Sequence, residues 1–324
     1  MTEPGSSSKS DREASIGVAQ AIGAYLWWGF VTGFYFKALD TVSSFELLAW
    51  RVLAGLPVML VLIALPPGFR RLKPALADPG KVGIQVISTL LIAANWLVFI
   101  YAVVGNRLVE ASLGYYINPL VSVLLGRIFL QERLRPLQKI AVLLASIGVA
   151  IFAWSKIDDL TAGMLSTSAR DFDWLRLPWI SLALPLSFGC YGLLRKRMTA
   201  DSTTGLTIEM LFLFPFMVAL QIWLMSSDRS SFMQGDVRID ALLIAGGLVT
   251  ALPLILFAAA ARRLRLATLG LLQYLAPTCQ LLLAVLWFGE MIEPLGVAAF
   301  VLIWIAVGLY CFDLLRENRN QRAA

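Results

Sequence analysis

The side chains that could do chemistry are few, and they stand inside long apolar runs of the sequence. Asn95 lies in the run AANWLVFIYAV, with Trp96 beside it and Tyr101 six residues further on. A polar group in hydrocarbon costs free energy unless it is paired or faces a cavity, so such residues mark solute pathways. We therefore predict that these three residues line a substrate site. The alternative is that Asn95 makes an interhelical hydrogen bond that joins two helices.

Two prolines, Pro119 and Pro277, follow polar and aromatic side chains in similar contexts. A proline removes one helix hydrogen bond and frees a carbonyl group, which a neighbouring helix or cavity water satisfies in a membrane. We interpret both prolines as hinges, and the alternative is a purely structural kink. The polar and aromatic residues beside them, which we predict to contact an amphipathic solute, are Tyr115, Asn118, Gln273 and Tyr274.

Charged residues are scarce in these runs. Arg51 lies about one and a half turns into the second run, and Glu46 precedes it by five residues. Arg51 could hold a substrate carboxylate, and Glu46 or Glu110 could carry a coupled proton. The alternative for Arg51 is snorkelling to the outer interface. Glu132 and Glu290 stand at the ends of runs and are predicted to be surface or capping charges, so we expect no other charge inside the bilayer.

The sequence lacks the residues and motifs of common catalytic and metal sites. It has no His, which excludes Ser-His-Asp and Cys-His triads and the HExxH zinc motif. Cys190, Cys279 and Cys311 are far apart in apolar runs, so their spacing predicts neither a metal site nor a disulfide framework. No GxxxxGK[ST] phosphate-binding loop occurs. We expect no catalytic residue, no metal and no cofactor.

Composition indicates an all-α integral membrane protein. The 324-residue chain is 59% hydrophobic and 15% charged, whereas soluble proteins carry about 25% charged residues. Soluble enzymes and nucleic-acid-binding proteins are therefore excluded, and no nucleic-acid partner is expected. Apolar runs predict ten transmembrane helices, near residues 16–36, 45–65, 83–104, 109–130, 137–154, 178–194, 207–225, 240–261, 267–288 and 294–313.

Charge distribution predicts the orientation of these helices. The net charge is +6, and Lys and Arg concentrate in the segments that face the cytoplasm when the N-terminus is inside. Both termini are then cytoplasmic. The predicted organisation is a disordered cytoplasmic tail 1–15, a first five-helix repeat 16–154, an external loop 155–177, a second five-helix repeat 178–313 and a cytoplasmic tail 314–324.

The two halves of the chain repeat each other in sequence. ASLG at 111–114 matches ATLG at 267–270, Pro119 matches Pro277, and Glu46 matches Glu209 in similar local contexts. Because five is an odd number of spans, the second repeat enters the membrane from the opposite side. Inverted repeats of this kind suit alternating access to a site near the bilayer midplane. A duplication retained for stability alone is the alternative.

Several runs together resemble a known family: NWLVFIYAV (95–103), EASLGYYINPL (110–120), RLRLATLGLLQYLAPT (263–278) and AVLWFGE (284–290). They are similar to the RarD branch of the EamA-type drug/metabolite transporter superfamily. The resemblance implies a ten-helix permease of the bacterial inner membrane that exports small metabolites or drugs, in a branch named for chloramphenicol sensitivity or resistance. The loop 155–177 is longer than that branch usually has, and no function is carried onto it.

We therefore predict a secondary transporter for a small amphipathic solute. Because no ATP-binding loop is present, its energy would come from a gradient, such as a proton gradient, or from a partner. Its predicted partners are the small-molecule substrate and membrane lipids. The GxxxG motif at Gly29 and Gly33 predicts close helix packing, inside the bundle or between the protomers of a homodimer. The alternatives are a transport-inactive membrane scaffold or sensor and, with less support, a membrane-embedded lipid enzyme.

Overall fold

The computed structural model describes residues 5–66, 68–104, 108–155, 179–287 and 294–323. Helix α1 runs over Gly5–Leu26, continues through a π-helical turn at Trp27–Val31 and ends with Thr32–Ala38. The remaining helices are α2 (Ser44–Leu53 and Gly55–Ala64), α3 (Pro79–Val104), α4 (Leu108–Phe129), α5 (Pro136–Ser155), α6 (Ile180–Arg197), α7 (Ser202–Ser226), α8 (Val237–Arg263), α9 (Leu266–Leu272 and Leu275–Leu286) and α10 (Pro294–Ala323). A 3₁₀ turn at Gly68–Arg71 and a short helix at Leu72–Leu76 join α2 to α3.

Most of these helices are suited to a membrane. Within the described ranges, seven are long and apolar enough to cross it, in parts of α1, α2, α3, α5, α7, α8 and α10. Helix α4 contains a shorter apolar stretch, Leu113–Phe129. Helix α6 ends in the basic run Arg195, Lys196 and Arg197, and α9 is interrupted. The prediction of an all-helical membrane protein is therefore confirmed at this level.

The ends of the chain differ from the prediction. The segment 1–15 is predicted to be disordered, but α1 begins at Gly5. Likewise α10 extends to Ala323, through most of the predicted tail 314–324. A helix already nucleated in an apolar run gains one hydrogen bond for each residue added, so polar sequence can extend it. Glu13 also accepts a hydrogen bond from Arg263 Nε of α8 at 2.9 Å. The predicted loop 155–177 lies, apart from Ser155, outside the described residues.

The contacts between helices follow the repeat: when each helix of α1–α5 is replaced by its equivalent in α6–α10, and the reverse, most of the same pairs are in contact. The contact of α1 with α8 corresponds to that of α6 with α3. In the same way, the contact of α4 with α6 corresponds to that of α9 with α1, and the contact of α2 with α8 to that of α7 with α3. The equivalent helices α2 and α7, α4 and α9, and α5 and α10 pack on each other. The sequence repeat therefore has a counterpart in the tertiary contacts.

Glycines allow the closest approaches between helices. A Cβ atom on Gly29 would lie 2.3 Å from Cys279 Cβ, and one on Gly33 would lie 3.0 Å from Leu283 Cδ1, both on α9. The GxxxG motif thus serves packing inside the bundle. Gly247 of α8 crosses α2 at its interruption, where a Cβ atom would lie 2.3 Å from the Ala54 carbonyl.

Proline explains the interruption of α9. Pro277 has no N–H to donate to the Gln273 carbonyl, and its ring excludes the regular helical position of that oxygen. The Gln273 carbonyl instead accepts from the Ala276 N–H at 3.1 Å, in a tighter turn. Pro119 also lies inside a helix, but α4 continues through it without interruption. The two predicted hinges are therefore structurally different.

Glu132, in the loop between α4 and α5, caps the first turn of α9. Its carboxylate accepts from the backbone N–H groups of Leu266 at 2.8 Å and Ala267 at 3.1 Å, and from Lys196 Nζ at 2.8 Å. The predicted capping role is confirmed, and the capped helix belongs to the other half of the chain. Burial raises the pKa of Glu132, but these hydrogen bonds outweigh it and hold the pKa below its usual range.

We expect Gly247→Ala to destabilise the protein by about 1–3 kcal/mol, because its methyl group would meet backbone atoms of α2. Gly308→Ala is the matched control, since nothing lies within 4 Å of a Cβ atom there and alanine favours a helix by about 1 kcal/mol. Melting of the purified variants in detergent measures the effect. Equal melting temperatures for the two variants would contradict this packing.

We also expect Glu132→Gln to lower the melting temperature at pH 7, because the charged capping and ion-pair interactions are lost. A carboxylate whose pKa is lowered by folding stabilises the protein above its unfolded pKa, about 4.3, and that stability is lost as pH falls through the folded pKa. The difference in melting temperature between Glu132→Gln and the unaltered protein should therefore become smaller below about pH 4. Glu13→Gln, at an exposed ion pair, should change little at any pH. A difference in melting temperature that does not change with pH would contradict the role of Glu132 as an ionised cap.

Candidate functional site

Arg51 lies on the first segment of α2 and is held by groups on three other helices. Its Nε donates to Thr250 Oγ1 of α8 at 3.1 Å. Its Cζ lies 4.8 Å from the ring centroid of Trp96 on α3 and 5.8 Å from that of Phe36 on α1. Aromatic faces attract a cation in this way. Among the described residues, no carboxylate forms an ion pair with Arg51.

A cavity of about 270 Å³ lies against Arg51. It reaches the loop between α1 and α2, where Asp40 is exposed, and continues inward along α2 to the guanidinium. Most of its wall is apolar. The lining residues are Phe36, Leu39, Asp40, Val42, Ser44, Leu47, Leu48, Arg51 and Phe99. The cavity is thus an apolar pocket with one part-buried cation in its lining.

Glu46 does not share this cavity with Arg51. It is fully buried at the start of α2 and turns toward the loop between α7 and α8. It accepts from Ser230 Oγ at 2.6 Å, from the backbone N–H of Ser231 at 2.7 Å and of Phe232 at 3.1 Å, and from Gln221 Nε2 at 3.3 Å. These donors hold the Glu46 carboxylate outside the lining of the cavity that contains Arg51. Glu110 lies in the first turn of α4, and its side chain lies outside the described residues.

Asn95 is buried at the contact between α3 and α6. Its Nδ2 donates to the Leu184 carbonyl and to Ser187 Oγ, each at 3.0 Å. This is the interhelical hydrogen bond that the sequence offered as the alternative. Trp96, the next residue, faces the other way, toward Arg51. Contact of Asn95 with a solute stays a prediction.

The remaining predicted residues divide between two places. Tyr115 lies near the Arg51 cavity, because its ring centroid is 5.9 Å from that of Phe99, which lines the cavity. Tyr101 is more exposed and packs on Trp179, with 5.6 Å between ring centroids. Arg51, Trp96 and Tyr115 are thus brought together, and Tyr101 is not shown to join them.

Both hinge regions meet where α4 crosses α9. The Tyr274 hydroxyl donates to the Tyr116 carbonyl at 3.2 Å, and a Cβ atom on Gly270 would lie 2.9 Å from the Pro119 carbonyl oxygen. Asn118, next to Pro119, and Gln273, next to Tyr274, are also buried. Asn118 Oδ1 has no hydrogen-bond partner among the described groups. The region is a tight crossing of the two halves.

A buried ion pair escaped the sequence reasoning. Glu209 of α7 accepts from Ser88 Oγ of α3 at 2.5 Å and from the Tyr191 hydroxyl at 3.2 Å, and it lies 3.5 Å from Arg195 Nη1 of α6. The expectation of no further charge inside the bilayer is therefore wrong. Arg195 belongs to the basic run at the end of α6, yet it is buried and donates to the Ser202 carbonyl at 2.9 Å. The repeat match of Glu46 with Glu209 was the signal that could have found this pair.

The described residues contain no group of three or more His, Cys, Asp or Glu side chains that could hold a metal ion. Glu290 lies outside the described residues. What the geometry offers is therefore a binding cavity with one cation and aromatic walls. Such a cavity can hold and orient a solute.

Comparison with known proteins identifies the family. The model of the EamA-like transporter family matches twice, over residues 15–154 and 177–312. An uncharacterized transporter of Vibrio cholerae is 40% identical over 313 residues, 97% of each chain. Protein RarD of Escherichia coli (strain K12) is 39% identical over 94% of this chain and 96% of its own.

Two further comparisons agree. The chloramphenicol-sensitive protein RarD of Pseudomonas aeruginosa is 33% identical over 89% of this chain and 91% of its own. A solved crystal structure that is 19% identical superposes with a TM-score of 0.67 over 91% of this chain and 96% of that chain, which shows a shared fold. The chain therefore belongs to the EamA-like transporter family, in its RarD-type branch, and is a multi-pass transporter of the bacterial inner membrane.

Proposed function

We propose that this protein is a secondary transporter that exports a small amphipathic metabolite or drug by alternating access. The observation that carries the proposal is the apolar cavity with Arg51 at its inner end. The guanidinium is contributed by the first half of the chain and bonded to Thr250 of the second half. A site shared by two repeats is the arrangement that lets relative movement of the halves change which side can reach it.

The proposed membrane arrangement has ten transmembrane helices in two inverted repeats, 16–154 and 178–313, with both termini cytoplasmic. The two family matches coincide closely with these repeats and support the division. The exchange symmetry of the helix contacts supports a two-fold relation between them. The concentration of Lys and Arg on one side supports the orientation.

Contacts between the halves support a resting state that is closed to the cytoplasm. On this side, Glu132 of the first half holds Lys196 and the start of α9 in the second. Arg197 also donates to the Phe129 carbonyl, and Arg265 to the Arg133 carbonyl. The cavity lies at the opposite end, beside the loop between α1 and α2. Opening to the cytoplasm would have to break the contacts around Glu132.

Proton coupling belongs to the same proposal. The chain has no His, so a carboxylate would carry the proton, and Glu46 and Glu110 are the candidates named from the sequence. Glu46 already accepts several hydrogen bonds from the loop after α7. Its protonation would release that loop, which links charge to a structural change.

The proposed partners are the solute and the surrounding lipids. Exposed apolar side chains such as Val61, Leu143 and Phe216 support contact with lipid. A homodimer would need a surface other than Gly29 and Gly33, because both glycines pack against α9. Chloramphenicol is a test solute on the strength of the relative named for sensitivity to it.

Flux of radiolabelled amino acids, nucleotide sugars and chloramphenicol into proteoliposomes, with and without a pH gradient, tests the function. We expect gradient-dependent flux of one solute class. Asn95→Leu should lower that flux about tenfold, because loss of an interhelical hydrogen bond worth about 1–2 kcal/mol loosens α3 against α6. Ser146→Ala is the control, since its hydroxyl bonds only within its own helix.

The other outcomes are equally informative. Flux that ignores the gradient would indicate a facilitator without proton coupling. If no solute crosses faster than in empty liposomes while the protein remains folded, transport of these classes is refuted and a scaffold or sensor role gains support.

A further inference from the structure

The Arg51 cavity has an electrostatic asymmetry that its shape alone does not explain. Its lining is mostly hydrocarbon and aromatic, yet it includes the part-buried Arg51. Burying an unpaired charge is costly, and proteins normally pair such a charge with a carboxylate. The acidic side chains described near it are otherwise engaged, since Glu46 is bound by the loop after α7 and Asp40 lies 3.3 Å from Lys37 at the exposed mouth.

The guanidinium is also oriented for a ligand. Its Nε is fixed by Thr250 at 3.1 Å, and its plane lies near the Trp96 ring. Neither Nη atom makes a hydrogen bond to any described residue. A guanidinium presents its donors in a planar fork that matches the two oxygens of a carboxylate. Thr250 and Trp96 therefore leave the Nη side of that fork available to a solute in the cavity.

Resting on the transport function proposed above, we propose that the cargo is a small organic anion. Its carboxylate binds the Nη atoms of Arg51, and its apolar body packs against Phe36, Leu47 and Phe99. The anion supplies the countercharge that none of the described residues provides to Arg51. The aromatic rings then contact the hydrocarbon part of the solute, which the apolar wall favours over a strongly polar one.

The volume of the cavity restricts the class of solute further. Its volume is about 270 Å³, below the roughly 300–1,000 Å³ of pockets that hold drug-sized ligands. The volume therefore favours a solute the size of a single-ring carboxylate. Charge and volume together select against a large neutral drug as the preferred cargo.

The test compares two probes of nearly the same shape that differ in charge, 3-phenylpropanoate and its neutral amide. Ligand-dependent melting of the purified full-length protein in detergent gives an apparent Kd for each. We expect the anion to bind at least about tenfold more tightly than the amide, because only the anion pairs with Arg51.

Variants test whether the preference for the anion over the amide depends on Arg51. Arg51→Gln should reduce the preference to less than about twofold, and Arg51→Lys, which keeps the charge without the fork, should retain part of it. Arg70→Gln removes an exposed positive charge between α2 and α3 and should leave the preference unchanged. The melting temperature of each variant without ligand shows whether it is folded.

The results separate this inference from the transport function. Equal binding of acid and amide, binding of neither, or a preference that survives Arg51→Gln overturns the anion site. Gradient-dependent flux of a neutral solute in proteoliposomes would in those cases leave transport standing. Absence of flux together with a clear anion preference would instead preserve the binding site and refute transport of the solutes tested.

Discussion

A membrane interior tolerates a charge only where a partner or a cavity replaces water, and this bundle depends on meeting that constraint. Glu46 is bound by the loop after α7, Glu209 by Arg195 and two hydroxyl groups, and Glu132 by Lys196 and the start of α9. Each carboxylate takes donors from elements distant in the chain, so meeting the constraint also fixes how the helices are placed. Arg51 is met by a hydroxyl and aromatic rings instead of a carboxylate.

Close packing between helices is the second interaction that holds the bundle together. Apolar side chains gain little from contacting each other instead of lipid tails, so helices in a membrane associate through tight van der Waals contact. Gly29, Gly247 and Gly270 supply such contacts at crossings between the first and second halves of the chain. Because these crossings join the two halves, a change in the relative position of the halves would have to slide or separate them.

These two constraints together explain where the cavity lies. The contacts around Glu132 hold one end of the bundle together, while the other end leaves space between the α1–α2 loop and Arg51. The same guanidinium that would be costly in a dry interior is acceptable beside a cavity that water or a solute can enter. The proposed binding site is thus also the place where the charge of Arg51 is accommodated.

The sequence by itself determined the helical membrane fold, the repeat and the family, because long apolar runs and their order are local properties of the chain. It also named Arg51 as a candidate, and the structure places this residue in the lining of a cavity. Tertiary structure alone decided that Asn95 bonds to α6, that Glu46 turns away from Arg51, and that Arg195 folds inward onto Glu209. These outcomes depend on which helices become neighbours, and the partner of a buried polar group is chosen by that packing and not by its own sequence context.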